Sequence, residues 1–510
     1  MISDSELLSD NQPANTTEPL YIADAVKQIE KRATEIGSYP LYDLMLRAGQ
    51  NAWNVLRAKR PEIKRLLVIA GAGNNAGDGF ILACHAQQAG VPVAIMTIKA
   101  EPVYKGDALL AYNKAKEAGI ELTHFNNDQL KQADVVVDAI LGTGFSGDLR
   151  PEYCSAIEAI NCWRTEQKGW VFSLDIPSGL DADTGVIKPI AVRSDHCISF
   201  INLKPGMVTG KAREFCESWE LDDLQISNQS RDGILPTAWI DDAKHLIHSM
   251  PGRRRTSHKG DFGHLLLIGG DYGFGGAILM SAQAAGRVGV GRLTILTRDS
   301  HVAPILTQFP EAMIRSIEQA EDPMLDDILK SVDAVVIGPG LGTGDWGQHL
   351  MLRLIEADCP ILVDADGLNN LVGKNLNRSN WVVTPHPGEA SRLLGTSVKN
   401  VEANRYESAQ NIHDKLNATV VLKGAGTIIV SEGQSTVCDR GNPGMATAGM
   451  GDILSGIIGS LMAQGFALSE AARIGVALHA VAGDIAAEKG EKGLLATDLL
   501  SPLRQLVNET

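Results

Sequence analysis

A short aliphatic, largely β-branched run that stops at a glycine-rich loop recurs along the whole chain. Residues 66–70 run into GAGNNAGDG, residues 134–139 lead to GTGFSGD, and residues 170–174 lead to DIPSGLDADTG. Further runs stand at 92–98 and 196–201, with amphipathic stretches between them. Runs apolar on both faces that alternate with helical patterns belong to a parallel sheet covered by crossover helices. Ligands bind outside the carboxyl ends of such strands, so the three loops should meet in one crevice. Glycine makes up 52 of 510 residues, about 10% against a usual 7%, and it clusters where the runs end.

The pattern breaks after Trp219 at the polar residues 228–233 and Pro236, and Arg253, Arg254 and Arg255 precede a second series. That series has runs at 264–268, 292–296, 334–337, 361–363, 381–384, 419–422 and 427–430, then helices from about Gly451 and Ser469. A chain of 510 residues exceeds what one hydrophobic core serves. The expected organisation is a polar tail over 1–20, a first domain over 21–227, a linker over 228–240 and a second domain over 241–510. The tail carries Asp4, Glu6, Asp10 and Glu18 without an apolar stretch, unlike a secretory signal. The longest uncharged run, 453–469, contains Gln464 and reads as a buried helix rather than a membrane span. Seven cysteines form no CxxC pair and no zinc-like cluster, which points to reduced thiols in the cytoplasm. With 46 basic against 61 acidic residues the net charge is −15, which argues against a nucleic-acid or anionic-membrane partner.

In the first loop Gly71, Gly73 and Ala76 satisfy a dinucleotide fingerprint, but Asn74, Asn75 and Asp78 crowd it and Lys99 stands where a ribose-binding acid would. A tight strand-to-helix turn is the plain alternative. Oxygen side chains at Asn75, Asp138 and Ser178, with loop carbonyls, could hold a hard cation. Asp175 is then free for proton transfer, with a pKa raised by burial. Turn capping is the alternative for Asp138 and Asp175.

The second series offers GGDYGFGGA, GPGLGTG, DADGLN, TPHPGE, KGAGT and GNPGMATAGMGDILSG. Gly449 and Gly451 before an apolar helix create free backbone amides, an anion cradle with Asp452 at its mouth. An acid beside such a cradle suits a phosphate-assisted reaction. The alternatives are Asp452 as a simple N-cap, His386 as a loop histidine without a role, and Lys423 as an edge-strand lysine.

The ordered motifs GxGNNxGDG, DAIxGTGFxG, DIPSGLDADTG and Lys204-Pro205-Gly206 resemble the NAD(P)H-hydrate epimerases over roughly residues 20–225. Ala76, where that family usually has glycine, is a small departure. The second set resembles the ribokinase-like fold and, more narrowly, the NAD(P)H-hydrate dehydratases over about residues 240–505. The resemblance implies a two-domain α/β protein: an N-terminal Rossmann-like doubly wound sheet and a C-terminal ribokinase-like α/β domain. The implied substrates are NADHX and NADPHX, nicotinamide cofactors hydrated at carbon 6 of the ring. By resemblance Asn74, Asn75, Ala76, Gly77, Asp78, Gly142, Thr143, Gly144, Phe145, Ser146, Gly147, Asp148 and Asp175 contact the epimerase substrate, and Asn75, Asp138 and Ser178 hold potassium. Ala277, Gly340, His386 and Asp452 would face the hydrate in the second domain, and Lys423, Gly424, Ala425, Gly426, Thr427 and Gly451 would hold the nucleotide. In bacterial members that nucleotide is ADP, consumed to AMP and phosphate with magnesium, and the fused layout looks bacterial. Asp175 would be the acid and base of epimerisation, and Asp452 would activate the ring hydroxyl. A cytoplasmic homo-oligomer is expected, with no nucleic-acid or membrane partner. Two other readings stay open here: a small-molecule kinase with an accessory domain, and a first half that senses a ligand without catalysis.

Overall fold

Runs buried on both faces become the inner strands of two sheets. The computed structural model describes residues 16–145 and 147–509. It divides into two α/β units, Glu18–Ala238 and Trp239 onward, the second also taking Thr16 and Thr17. The first strands in chain order are β1 (Thr16–Leu20), β2 (Leu66–Ala70), β3 (Val93–Thr97), β4 (Glu121–His124), β5 (Val135–Ala139), β6 (Trp170–Leu174), β7 (His196–Phe200) and β8 (Trp219–Asp222). There follow β9 (Ala238–Asp241), β10 (His264–Ile268), β11 (Arg292–Thr297), β12 (Met313–Ser316), β13 (Ala334–Ile337), β14 (Ile361–Val363), β15 (Trp381–Val383), β16 (Thr419–Leu422), β17 (Thr427–Ser431) and β18 (Gln434–Cys438).

In the first unit the order is β4-β3-β2-β5-β6-β7-β8, parallel throughout. Alternate residues of one strand enter opposite cores: Leu66, Val68 and Ala70 pack on one face of the sheet, Leu67 and Ile69 on the other. That is the doubly wound arrangement expected, and its strand order reverses between β2 and β5. In the second sheet the order is β1-β9-β18-β17-β16-β15-β14-β13-β10-β11-β12, with the reversal between β10 and β13. Crevices therefore open at the β2/β5 and β10/β13 strand ends.

Several expectations need correction. The second sheet is not wholly parallel: β17 runs antiparallel to both β16 and β18. Glu432 and Gly433, with φ of 52° and 74°, make the two-residue turn between β17 and β18, which can only join antiparallel strands. The supposed tail ends in β1, and the supposed linker contains a short 3-10 turn, Asn228–Arg231, and most of β9. These segments, like β4, β8, β12 and β18, are short or part polar and leave no apolar run to read. A third helix, Leu500–Leu506, follows Met450–Ala463 and Leu468–Ala487. All seven cysteines are free thiols, of which Cys162 is exposed, Cys154 and Cys359 half-buried and the other four buried. Among the described residues no helix is long and apolar enough to cross a membrane.

The loop ends of β2 and β5 approach each other backbone to backbone. A Cβ on Gly71 would lie 1.9 Å from the Ile140 carbonyl oxygen, so only glycine fits. Gly71→Ala should cost about 1–3 kcal/mol through this overlap, read as a lower urea midpoint with an unchanged m-value.

Candidate active sites

At the β2/β5 crevice lies a cavity of about 410 Å³. Its floor is the loops after β2, β5 and β6, and its far side is built from the helices Ala23–Gly37 and Leu41–Lys59. Asn74, Asn75, Asp78, Gly142, Thr143, Gly144, Phe145 and Asp175 all line it. Ala76 and Gly77 do not: the helix starts at Asn74, and its 3.6-residue period turns 74, 75 and 78 to the cavity while 76 and 77 are buried away from it. Gly147 and Asp148 are exposed and outside the lining, and Ser146 lies outside the described residues.

Asp175 sits just past β6 with φ of 66°, a strained conformation for a non-glycine residue. One carboxylate oxygen is ion-paired with the fully buried Lys204, and the other accepts the Thr143 amide at 3.2 Å. Lys204 Nζ is fixed in turn by Ser199 Oγ at 2.9 Å and the Phe200 carbonyl at 3.0 Å. Burial pushes the Asp175 carboxyl up, but the Lys204 ammonium and the Thr143 hydrogen bonds outweigh it and hold the group below its ordinary value. The expected upward shift is thus reversed, and Asp175 is a standing carboxylate. Gly142 makes room for this: a Cβ there would meet Asn75 Cβ at 3.2 Å and Asp175 Oδ2 at 3.3 Å. Two neighbouring carboxyls behave oppositely. Asp78 is pushed well above its ordinary value by burial and by Asp175, and Glu30 is raised to about 7 by the same two causes.

Asp138 and Ser173 are register partners on β5 and β6. The buried Asp138 carboxylate accepts Ser173 Oγ at 2.9 Å, Ser178 N at 2.8 Å, Ser178 Oγ at 2.5 Å and Ile140 N at 3.3 Å, all neutral donors. Burial raises its pKa. Asn75 donates to the Leu141 carbonyl at 2.9 Å, which leaves its own buried Oδ1 without a partner. A buried carboxylate without a counter-cation, an orphaned amide oxygen and adjacent loop carbonyls fit a hard cation.

The second site gathers around the helix Met450–Ala463, whose N-cap is Gly449, so Asp452 lies in the first turn rather than capping it. Lys423, just past the inner strand β16, reaches Asp364 Oδ1 at 2.7 Å and Glu389 Oε2 at 3.8 Å. Ser455 Oγ holds the other Asp364 oxygen at 2.7 Å. A Cβ on Gly451 would lie 3.4 Å from Lys423 Nζ and 3.6 Å from Asp364 Oδ2, so the ion pair lies against the helix N-terminus. Burial raises Asp364, yet Lys423 and the hydroxyl donors bring it below its ordinary value. Asp452 goes the other way, pushed up to about 7 by burial and by Asp364.

The helix Gly275–Val288 brings in the remaining loops. Its Ser281 hydroxyl donates to the Asp452 carbonyl at 2.8 Å, and one turn earlier Ala277 faces Gly340, whose added Cβ would be 3.3 Å away. His386 caps the helix Pro387–Leu394, accepting the Gly388 amide at 2.9 Å. Thr427 Oγ1 closes the KGAGT loop on the Gly424 carbonyl at 3.0 Å, while Ala425 is exposed and Gly426 buried. Sequence reasoning passed over Glu30, Lys204 as a partner of Asp175, Asp364 and Glu389 as partners of Lys423, and the buried Arg405, which donates to the Lys423 carbonyl at 3.2 Å. No local pattern marks a charged residue as buried.

Each unit thus sets a strand-end aspartate held ionised by a lysine beside a second carboxyl raised toward neutrality, an arrangement found in enzymes of acid–base chemistry. Residues 41–206 match the family described as YjeF-related protein N-terminus, and residues 265–505 match NAD(P)H-hydrate dehydratase. The bifunctional NAD(P)H-hydrate repair enzyme Nnr of Coxiella burnetii is 42% identical over 96% of this chain and 99% of its own. That of Escherichia coli K12 is 39% identical over 97% of this chain and 95% of its own. A solved ADP/ATP-dependent NAD(P)H-hydrate dehydratase from Bacillus subtilis, co-crystallised with ATP and Mg²⁺, is 28% identical with a TM-score of 0.46, covering 52% of this chain and 95% of its own. The chain belongs to the family of bifunctional NAD(P)H-hydrate repair enzymes.

The raised Asp452 makes a prediction about stability. A carboxyl whose folded pKa is about 7 holds its proton more tightly in the native than in the unfolded chain. Its contribution is complete below the unfolded value and is lost as pH climbs to the folded one. Asp452→Asn, which cannot ionise, should therefore melt higher than the parent at pH 8, with the gap closing toward pH 4 in thermal unfolding.

Proposed function

We propose that the first site interconverts the R and S forms of NADHX and NADPHX, and that the second dehydrates the S form to the dihydronicotinamide while ADP is consumed to AMP and phosphate. The observation that carries this reading is the pair of strand-end aspartates pinned by lysines, Asp175 by Lys204 on the first cavity and Asp364 by Lys423 against the N-terminus of the helix that bears Asp452. The hydrated ring is a hemiaminal, so its nitrogen can expel the hydroxyl to give an iminium that water attacks from either face. Asp175, held ionised by Lys204, takes the proton of the adding water. Burial of Lys204 and of the Asp175 pair keeps that carboxylate in one orientation, which suits repeated attack at a single carbon.

In the second site the ring hydroxyl attacks the terminal phosphorus of ADP and AMP leaves; the ring nitrogen then expels inorganic phosphate, and loss of the proton on the neighbouring carbon restores the dihydronicotinamide. Asp452, titrating near neutrality, is basic enough to draw off the hydroxyl proton. Lys423 and the amides around Gly451 receive phosphate oxygens, with Asp364 and Glu389 holding the ammonium in place. Asn75, Asp138 and Ser178 would hold potassium, which supplies a fixed positive field beside the first cavity. Among the described residues no group of three or more His, Cys, Asp or Glu is arranged for a metal ion. Magnesium in the second site would accordingly be carried chiefly by nucleotide phosphates, whose charge it screens.

Chromatography of mixed R and S hydrates with nucleotide, magnesium and potassium tests both halves at once. Asp175→Asn should slow epimerisation by about 10²–10⁴-fold and leave dehydration of the S form intact, while Asp452→Asn should do the reverse. Hydrates left untouched by the parent protein, or full-speed dehydration by Asp452→Asn, would overturn the assignment.

A further inference from the structure

Inversion at a ring carbon requires water to leave from one face and to add to the other. A single carboxylate on one wall serves one face of a ring that keeps its place. Asp175 comes from the loop after β6, and the helix Ala23–Gly37 brings one carboxyl, Glu30, to the same cavity. Among the described residues the Glu30 carboxyl has neither a hydrogen-bond nor an ion-pair partner. The charged groups that act on it are Asp175 and Lys204 from the strand side, Asp78 from the helix Asn74–Gln88, and Lys27 one turn back on its own helix. Glu30 is half-buried, and its carboxyl lines the cavity without a protein partner among those residues, which leaves it free to meet a ligand there.

We propose that Glu30 is the second proton-transfer residue of the epimerisation, serving the ring face that Asp175 does not. This rests on the reading of the first site given above. In one direction the carbon–oxygen bond breaks with its electron pair on oxygen, that oxygen takes the proton of Glu30 and departs as water, and the nitrogen lone pair forms the iminium. Water then adds to the same carbon from the Asp175 side and gives its proton to the Asp175 carboxylate. The opposite direction runs with the two roles exchanged, and the net transfer of one proton between the carboxyls is reset through solvent. The two groups are set for complementary starting states: Asp175 is ionised beside Lys204, whereas Glu30, raised to about 7 by burial and then by Asp175, is still part protonated at neutral pH.

The test is the pH profile of epimerisation kcat/KM in the full-length protein, with dehydration of the S hydrate in the same preparation as the control for folding. The parent should lose rate above about pH 7 as Glu30 gives up its proton. Glu30→Gln should be slowed about a hundredfold or more, lose that alkaline limb, and keep dehydration. Should Glu30→Gln also lose dehydration, Glu30→Asp decides, with the limb expected to move to lower pH. A Glu30→Gln rate equal to the parent's, a slowed variant with the limb in place, or a Glu30→Asp limb that does not move would overturn the proposal. A parent protein that does not epimerise at all would instead sink the reading of the site itself.

Discussion

A lysine paired with a strand-end aspartate governs each half of this protein; Lys204 is fully buried and Lys423 half-buried. Lys204 and Lys423 both stand beyond a strand, and each is ion-paired with an aspartate, Asp175 or Asp364, Lys423 also lying 3.8 Å from Glu389. Breaking a buried pair of this kind by removing one partner costs about 3–5 kcal/mol, because the survivor is left charged and desolvated. The pair therefore fixes the charge of its crevice. Once Asp175 is obliged to be an anion, Glu30 and Asp78 beside it are obliged to hold protons longer, and Asp364 does the same to Asp452. Both sites arrive at a standing carboxylate next to a reluctant one, on two sheets of different topology.

Strand order explains why these pairs end up at crevices. The strand order turns back at β2/β5 in the first sheet and at β10/β13 in the second, the kind of place where ligand crevices form in α/β sheets. The glycines of the adjoining loops let backbone and carboxylates approach more closely than any side chain would allow, as Gly142 does between Asn75 and Asp175.

Much of this was legible in the sequence because the inner strands are buried on both faces. Runs such as 66–70 and 361–363 have no polar residue to blur them, and the structure ends them where the apolar run ends. Short or outlying strands were not legible: β4 reads Glu-Leu-Thr-His and β8 Trp-Glu-Leu-Asp, half polar because they lie at or near a sheet edge. The site was legible in its loops and illegible in its partners. Asp175 stands in a recognisable motif, but the sign of its pKa shift depends on a lysine 29 residues away that folds back onto it. Glu30 occupies a helix otherwise rich in Lys, Arg and Glu, where a lone carboxylate looks like one more solvated charge.

The thiols carry a different consequence. Reaction with peroxide or electrophiles proceeds through the thiolate, and burial raises the pKa of Cys84, Cys197, Cys359 and Cys438, the last to about 12. Cys162, on the helix Pro151–Gln167, is the one exposed thiol and does not line the catalytic cavity. A catalyst that undoes spontaneous chemical damage thus presents little of its own sulfur to oxidants, and a maleimide dye or a spin label added under mild conditions would settle first on a single address outside that cavity.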